Sequence, residues 1–208
     1  NSVSTNILRD SNKHLNYIVT PNTKELFERI FLNENQSSRS FNLIGNYGTG
    51  KSTFLWAVEK NLLGEKIYFS DKYLNGSTKG FELVKVIGDN DSLLNSLASS
   101  LRLKGEVTAK SVIGHLQKLR VKLSKESFGL VLMVDEFGKF LEHASKSNSL
   151  EDLYLVQLIA EWVNDADYKS YLVVTLHQNF SNYGQTLSSQ DRLEWEKVKG
   201  RFTDMVFN

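Results

Sequence analysis

Apolar residues along the chain predict strands that alternate with helices. The longest continuous apolar runs, 130–134 and 171–176, are typical of strands buried on both faces of a parallel sheet. Shorter strands are predicted at 41–44, 66–70, 81–87 and 205–207. Apolar residues at helical spacing and turn signals predict helices at 22–31, 51–63, 92–103, 108–125, 150–163 and 189–198. This alternation predicts an α/β domain with a mostly parallel sheet, in which ligands bind at the carboxyl ends of the strands.

Composition excludes several classes of protein. A chain of 208 residues is long enough to bury roughly 70% of the surface that its unfolded form exposes, so one large core is available. Its 25 basic and 24 acidic residues give a net charge of +1, so no bulk charge favours nucleic acid or an anionic membrane. Cysteine is absent, which excludes disulfides and thiolate metal sites and fits a reducing compartment, so we expect a cytoplasmic protein. The apolar runs are far shorter than the ~20 residues that cross a bilayer, and we expect no membrane partner.

A glycine-rich segment between a predicted strand and a predicted helix matches the pattern G-x-x-x-x-G-K-[ST], the Walker A motif. Backbone N–H groups in such a loop point at phosphate oxygens, and the helix that follows adds the positive end of its dipole. We expect the Lys51 ammonium to reach the β- and γ-phosphates and the Ser52 hydroxyl to bind Mg²⁺. The residues expected to bind the nucleotide are Gly45, Asn46, Tyr47, Gly48, Thr49, Gly50, Lys51, Ser52 and Thr53.

An acidic pair, Asp135 and Glu136, follows the buried strand predicted at 130–134. Four or more apolar residues and then an aspartate have the form of a Walker B element. We expect Asp135 to hold Mg²⁺ beside Ser52. Glu136 is positioned to orient and deprotonate a water molecule for attack on the γ-phosphate. Small-molecule kinases activate a substrate hydroxyl instead and usually lack this second acid.

Together these motifs resemble those of the P-loop ATPases with an additional catalytic glutamate, most closely the AAA+ and STAND group. The resemblance covers about residues 17–207. It implies a three-layer αβα fold with a five-stranded sheet in the order 5-1-4-3-2, ATP and Mg²⁺ as ligands, and adenine contacts from residues 17–21. The segment 135–140 is also similar to ATPases of bacterial defence and DNA-translocation systems.

The resemblance implies a polar residue, called the sensor, at the end of the strand that follows the acidic pair. This residue contacts the γ-phosphate or the attacking water. Thr175, His177 and Gln178 are the candidates, and we favour Gln178 because a neutral amide both donates and accepts hydrogen bonds. His177 has an alternative interpretation, since ATP-binding-cassette proteins place a histidine after this strand. Those proteins also need an LSGGQ-like signature between the two Walker motifs, which this sequence lacks.

The resemblance also implies an arginine shortly before the last strand that reaches the γ-phosphate of a neighbouring subunit. Arg201, within the sequence Lys199-Gly200-Arg201-Phe202, is the first candidate. Arg192 is the second. Such an arginine stabilises charge that develops in the transition state.

The whole chain, 1–208, is predicted to be a single P-loop ATPase core domain. Residues 1–40 are expected to form a lead-in segment and helix, and about 71–129 a family-specific insertion. Within that range 81–87 is a candidate for the second core strand, with 66–70 an added extended piece, and the helices at 92–103 and 108–125 are then the family-specific part. The chain ends where the family's helical lid would begin, so we expect the lid domain to be absent and the chain to be a fragment of a longer protein. The helix predicted at 108–125 is basic and predicts either a solvated face or a nucleic-acid contact; its basic residues are Lys110, Lys118, Arg120, Lys122 and Lys125.

The function predicted from the sequence is Mg²⁺-dependent ATP binding and hydrolysis, which drives conformational change or assembly of a larger protein. The expected partners are ATP and either further copies of the chain or the remainder of a longer one. One alternative is a STAND-like switch that holds nucleotide tightly and turns over rarely. A second is a DNA translocase of the HerA–FtsK kind, which also carries Asp-Glu and a late glutamine. A third is a nucleotide or small-molecule kinase.

Overall fold

The computed structural model describes residues 4–147 and 150–208, which form one five-stranded sheet between two layers of helices. The strands are β1 (Ser40–Ile44), β2 (Gly80–Ile87), β3 (Phe128–Asp135), β4 (Ser170–Leu176) and β5 (Thr203–Val206). The helices are α1 (Pro21–Phe31), α2 (Lys51–Leu62), α3 (Leu93–Ser100), α4 (Ala109–Lys125), α5 (Phe137–Ser147), α6 (Leu150–Trp162) and α7 (Ser189–Lys199). The strand order is β2-β3-β4-β1-β5 and every pairing is parallel. Counted from the other edge this is 5-1-4-3-2, so the predicted fold class and topology are confirmed.

The central strand β3 shows why its sequence is continuously apolar. Leu130, Leu132 and Val134 pack into the core beneath α3 to α7. Val131 and Met133 point to the opposite face and join the core beneath α1 and α2. Because alternate residues of a strand face opposite sides, burial on both faces requires an apolar residue at every position.

The first helix is fixed at its start by a capping box. The Thr20 hydroxyl accepts from the N–H of Thr23, and the Thr23 hydroxyl accepts from the N–H of Thr20. Pro21 occupies the first helical position, where its missing N–H costs nothing. Phe27 and Ile30 then pack into the core, as the apolar spacing predicts.

One secondary-structure prediction was wrong, and one helix was not predicted. Residues 66–70 form a loop, because the N–H groups of Tyr68 and Phe69 donate to the side-chain oxygen of Asn61, at 2.9 and 2.8 Å, instead of to a strand. Stacking of Phe69 on Phe27 also holds this loop on the core. Conversely, α5 was not predicted, although its buried residues lie at helical spacing.

The range 71–129, predicted as an insertion, contains β2, which is an edge strand of the central sheet. The same range also contains α3 and α4, which pack on the sheet beside β2 and are joined by loops. Four lysines of α4 are exposed, whereas Arg120 is buried between the rings of Trp162 and Tyr168. Among the residues described, no helix is long and apolar enough to cross a membrane.

Candidate nucleotide-binding site

A cavity of about 490 Å³ opens at the carboxyl edge of the sheet. The ends of β2, β3 and β4 meet there, together with the loop between β1 and α2. Its walls are formed by Ser4, Thr5, Asn6, Arg9, Tyr47, Gly48, Gly50, Lys51, Ser52, Thr53, Ile87, Asp135, Glu136, Lys139 and His177. Sequence positions up to about 170 residues apart therefore share one site.

The loop between β1 and α2 has a backbone that requires glycine at two positions. Gly48 and Gly50 have φ values of +76° and +95°, where a side chain would be strained, although space is open at both. Gly50 is the N-cap of α2, so the helix begins directly at Lys51. The free N–H groups of that first turn and the positive end of the helix make this loop suited to a phosphate.

Lys51 is only 5% exposed, and its ammonium group lies against its own loop. Its Nζ donates to the carbonyl oxygens of Gly45 and Asn46, at 2.5 and 2.7 Å. Burial lowers the pKa of Lys51, and the nearby carboxylates of Glu136 and Asp135 oppose that change. The ammonium is thus held at the mouth of the loop, where an oxyanion would compete favourably with neutral carbonyls.

Asp135 is 2% exposed, and one of its two carboxylate oxygens accepts hydrogen bonds from the protein. Its Oδ1 accepts from the Thr175 hydroxyl at 2.7 Å and from the N–H of Glu136 at 3.0 Å. Within 4–147 and 150–208, neither its Oδ2 nor the Ser52 hydroxyl makes a hydrogen bond, and both residues line the cavity. Oxygen ligands of this kind fit Mg²⁺. The described part of the chain has no group of three or more His, Cys, Asp or Glu residues that could hold a metal, so a cation here would need phosphate and water ligands as well.

Glu136 has a strained backbone with a φ of +54°, in the left-handed region that residues other than glycine rarely adopt. Its N–H donates to Asp135 Oδ1 and to the Thr175 hydroxyl, at 3.0 and 2.9 Å. Its carbonyl lies against Gly88 at the end of β2, where an added Cβ would come within 1.9 Å of the oxygen. The Gly88 N–H in turn donates to the Asp135 carbonyl at 2.8 Å. Gly88 therefore fixes the turn that carries the acidic pair, a role that no sequence pattern indicated.

The end of β4 places a histidine at the acidic pair. His177 Nε2 lies 2.9 Å from Glu136 Oε2, and its ring stacks on Tyr47 at a centroid distance of 3.4 Å. Thr175 contacts both acids from the same strand. Gln178, favoured as the sensor, is exposed and does not line the cavity. Of the three candidates, Thr175 and His177 therefore contact the acidic pair.

Neither predicted arginine lines the cavity. Arg201 precedes β5, at the amino edge of the sheet, and four residues of extended chain, about 13 Å, separate it from the carboxyl edge. There it forms an ion pair with Glu161, each side chain being about 40% exposed. Arg192 donates to the carbonyls of Leu187 and Gln185, at 3.1 and 2.6 Å. Any contact of Arg201 with a phosphate would therefore have to be made in another chain.

The predicted adenine-contacting segment, 17–21, lies outside this cavity. Tyr17 packs against the rings of Tyr68 and Phe69. The start of α1 nevertheless adjoins the end of β5, because the Asn22 amide donates to the Val206 carbonyl at 3.2 Å. The segment is thus placed on the β5 side of the phosphate loop, opposite the acidic pair.

The N-terminal segment forms a wall of the cavity that sequence reasoning missed. Ser4, Thr5, Asn6 and Arg9 line it, and the Thr5 hydroxyl lies 2.9 Å from that of Thr53. The segment has no apolar periodicity, so nothing in its own sequence indicated a place at the site. Lys139, at the start of α5, also lines the cavity and was not predicted, as α5 itself was not.

Comparison with known proteins shows similarity at the level of structure. No protein-family model matches the sequence, and no curated protein matches it significantly. The structure resembles Aeropyrum pernix ORC2 in its ADPNP–ADP complexes, with a TM-score of 0.59 and 17% identity over 94% of this chain and 50% of that one. The ADP form of the same protein gives a TM-score of 0.51 and 19% identity over 95% of this chain and 52% of that one. The chain thus spans about half the length of these proteins, and the likeness, with the sheet order, shows that it has the fold of an AAA+-like P-loop ATPase domain.

Proposed function

We propose that this chain binds Mg²⁺-ATP in the cavity at the carboxyl edge of the sheet and hydrolyses it. The observation that carries the proposal is that Lys51, Ser52, Asp135 and Glu136 line one cavity at the start of α2. These are the four side-chain functions that phosphoryl transfer to water needs: a phosphate-binding cation, two metal ligands and a carboxylate near the terminal phosphate. The ADPNP–ADP complexes of the Aeropyrum pernix protein support a nucleotide as the ligand of this fold.

The position of each residue in the site suggests whether it binds phosphate or the metal. The loop amides and Lys51 bind the β- and γ-phosphates, and the ammonium leaves the Gly45 and Asn46 carbonyls to do so. The Ser52 hydroxyl and Asp135 Oδ2 would hold Mg²⁺, which when bound neutralises charge on the phosphate oxygens. Thr175 keeps Asp135 oriented through its bond to Oδ1.

Glu136 is the proposed base. Its carboxylate accepts a proton from water as the water oxygen bonds to the γ-phosphorus, and the bond from that phosphorus to the β–γ bridging oxygen breaks to release ADP. His177 lies 2.9 Å from this carboxylate and is proposed to orient it, and His177 replaces Gln178 as the proposed polar residue that follows β4 in the site. Nucleotide state would then change the conformation or assembly of a larger protein, and Arg201 is proposed to complete the site of a neighbouring copy.

The experiment compares ATP affinity and phosphate release for wild type, Lys51→Ala and Glu136→Gln. We expect Lys51→Ala to weaken ATP binding more than tenfold, because it removes the main cation of the loop. Glu136→Gln is expected to bind ATP within threefold of wild type and to lose about 10²–10⁴-fold in turnover, because the amide cannot take the proton. Glu82→Gln, an exposed acid on β2, is the matched control and should change neither quantity.

Two outcomes would contradict the proposal. The first is a wild-type chain that binds no nucleotide in the presence of Mg²⁺. The second is a Glu136→Gln variant with unchanged turnover, which would remove Glu136 from the reaction. Transfer of labelled phosphate to an acceptor other than water would instead support a kinase.

A further inference from the structure

The N-terminal segment 4–13 is held firmly beside the phosphate loop. Ile7 is fully buried in the core under α1 and α2. The Trp56 indole of α2 donates to the carbonyl of Asp10 at 3.0 Å, and Lys85 of β2 donates to the carbonyl of Ile7 at 3.0 Å. Because α2 and β2 both belong to the rigid frame of the site, they fix where this segment meets the cavity.

This segment contacts the helix that follows the phosphate loop and lines the same cavity. The Thr5 hydroxyl is 2.9 Å from that of Thr53, the residue after the proposed metal ligand Ser52. Lys85 lies two residues before Ile87, which ends β2 beside Asp135 of β3. The segment shares the cavity with Asp135 and Glu136, beside which the metal and terminal phosphate are proposed to lie, whereas the segment 17–21 is on the opposite, β5 side.

Arg9 lies in this wall of the cavity and is held by a neighbouring carboxylate. Its Nε and Nη2 donate to Asp10 Oδ1 and Oδ2, at 2.9 and 2.8 Å, its Nη2 also donates to the Ser4 carbonyl at 3.2 Å, and its side chain is 58% exposed. Asp10 is itself buried, with 3% of its side chain exposed. An exposed guanidinium can change partners at little cost in packing, provided that the buried carboxylate it leaves remains paired.

Asp10 has the further partners that make such an exchange possible. The Lys13 ammonium lies 2.7 Å from its Oδ1, and the N–H of Asn6 donates to its Oδ2 at 2.9 Å. Bonds from Arg9, Lys13 and Asn6 hold the pKa of Asp10 well below its usual range. If Arg9 turns away, Lys13 and Asn6 still satisfy both carboxylate oxygens, so no uncompensated buried charge results.

We propose that Arg9 exchanges Asp10 for the terminal phosphate of a nucleotide bound in its own chain, while Lys13 retains Asp10. The guanidinium fork that now binds a carboxylate in two places fits a phosphate in the same way. Arg9 thereby supplies within one chain the positive charge that Arg201 could supply only to another. The inference rests on the proposed nucleotide site and names a phosphate-contacting residue that the Walker motifs do not include.

The test measures dissociation constants for ADPNP and ADP, with Mg²⁺, on wild type, Arg9→Ala, Arg9→Lys and Lys13→Ala. Arg9→Ala should weaken ADPNP binding at least tenfold and ADP binding less than threefold, because ADP lacks the terminal phosphate. Arg9→Lys should restore part of the loss. Lys13→Ala should weaken ADPNP selectively but less than Arg9→Ala does, because Asp10 would then retain Arg9 more strongly. Arg29→Ala is the matched control, since Arg29 is an exposed arginine of α1 paired with Glu25 at 4.0 Å.

The outcomes separate this inference from the proposed function. If wild type binds both nucleotides and Arg9→Ala weakens them equally, or weakens neither, the inference is overturned while the nucleotide site stands. An equal loss together with a lower melting temperature would assign Arg9 a purely structural role through Asp10. If wild type binds neither nucleotide, the proposed function fails and the inference fails with it.

Discussion

The two edges of the parallel sheet both carry charged residues, but they use them differently. At the amino edge the charged side chains bond mainly within the protein: Arg120 donates to the Trp162 carbonyl at 2.7 Å and pairs with Asp165 at 3.3 Å, and Arg201 pairs with Glu161, although the Arg120 Nε has no partner among the residues described. At the carboxyl edge Asp135 keeps an oxygen without a hydrogen bond among the residues described, and Glu136 has a left-handed backbone. The charged side chains of the amino edge thus mostly pair within the protein, whereas Lys51, Asp135 and Glu136 at the carboxyl edge line a cavity.

This difference shows that a buried, perturbed charge does not by itself mark a functional site. Arg120 is 4% exposed, and burial lowers its pKa against the opposing effect of Asp165. The rings of Trp162 and Tyr168 nevertheless pack on its guanidinium group, and Arg120 does not line the cavity of the candidate site. What distinguishes the carboxyl edge is the combination of unpaired oxygen atoms, backbone strain and open space.

The largest loss of turnover is expected at Gly88, which lies against the strained turn at Glu136. In Gly88→Ala the new Cβ would lie 1.9 Å from the Glu136 carbonyl oxygen, so the turn that carries the acidic pair must move. A displacement of about 1 Å at a reacting group costs on the order of 10²-fold in rate. We expect turnover, measured by phosphate release, to fall by at least about 10²-fold. ATP affinity, measured by equilibrium binding, should stay within tenfold of wild type.

Gly114→Ala is the control for Gly88→Ala. Gly114 lies within α4, where an added Cβ meets nothing within 4 Å. That substitution should leave turnover unchanged and raise the free energy of unfolding by about 0.5–1 kcal/mol, because alanine favours a helix. Near-normal turnover in Gly88→Ala would show that the position of Glu136 is not critical, and it would weaken the contrast between the two edges.

A smaller effect is expected at the end of β4, where adjacent residues offer a matched pair of variants. His177 lies 2.9 Å from the Glu136 carboxylate, whereas Gln178 is exposed outside the cavity. A hydrogen bond to a charged group contributes about 1.5–3 kcal/mol, so His177→Ala should lower turnover at least tenfold. Gln178→Ala should stay within twofold of wild type in the same phosphate-release assay. A larger loss of turnover in Gln178→Ala than in His177→Ala would instead support Gln178 as the sensor.

The sequence predicted the parts of this molecule that depend on local patterns. The phosphate loop with its flanking strand and helix, and the apolar strand before Asp135, each lie within a short continuous segment. The contact of Gly88 with Glu136 joins residues that are 48 positions apart, and so does the contact of Thr5 with Thr53. Contacts over such distances in the chain produce no periodic pattern in the sequence. Residues 66–70 were misassigned for a related reason: a side chain, Asn61, satisfies backbone groups that the apolar pattern assigned to a strand.

The smallest effect is expected at the amino edge, at Arg201. Its ion pair with Glu161 is partly exposed, and such pairs contribute about 0.2–1 kcal/mol, so a double-mutant cycle with Arg201→Ala and Glu161→Ala should give a coupling energy in that range. ATP affinity in a dilute sample should stay within twofold of wild type, because Arg201 is separated from its own cavity by the length of β5. A large loss of affinity there would contradict the separation of the two edges. A loss of turnover that occurs only at concentrations where chains associate would instead support the proposed contact of Arg201 with a neighbour's phosphate, since the amino edge of one copy would then complete the carboxyl edge of another.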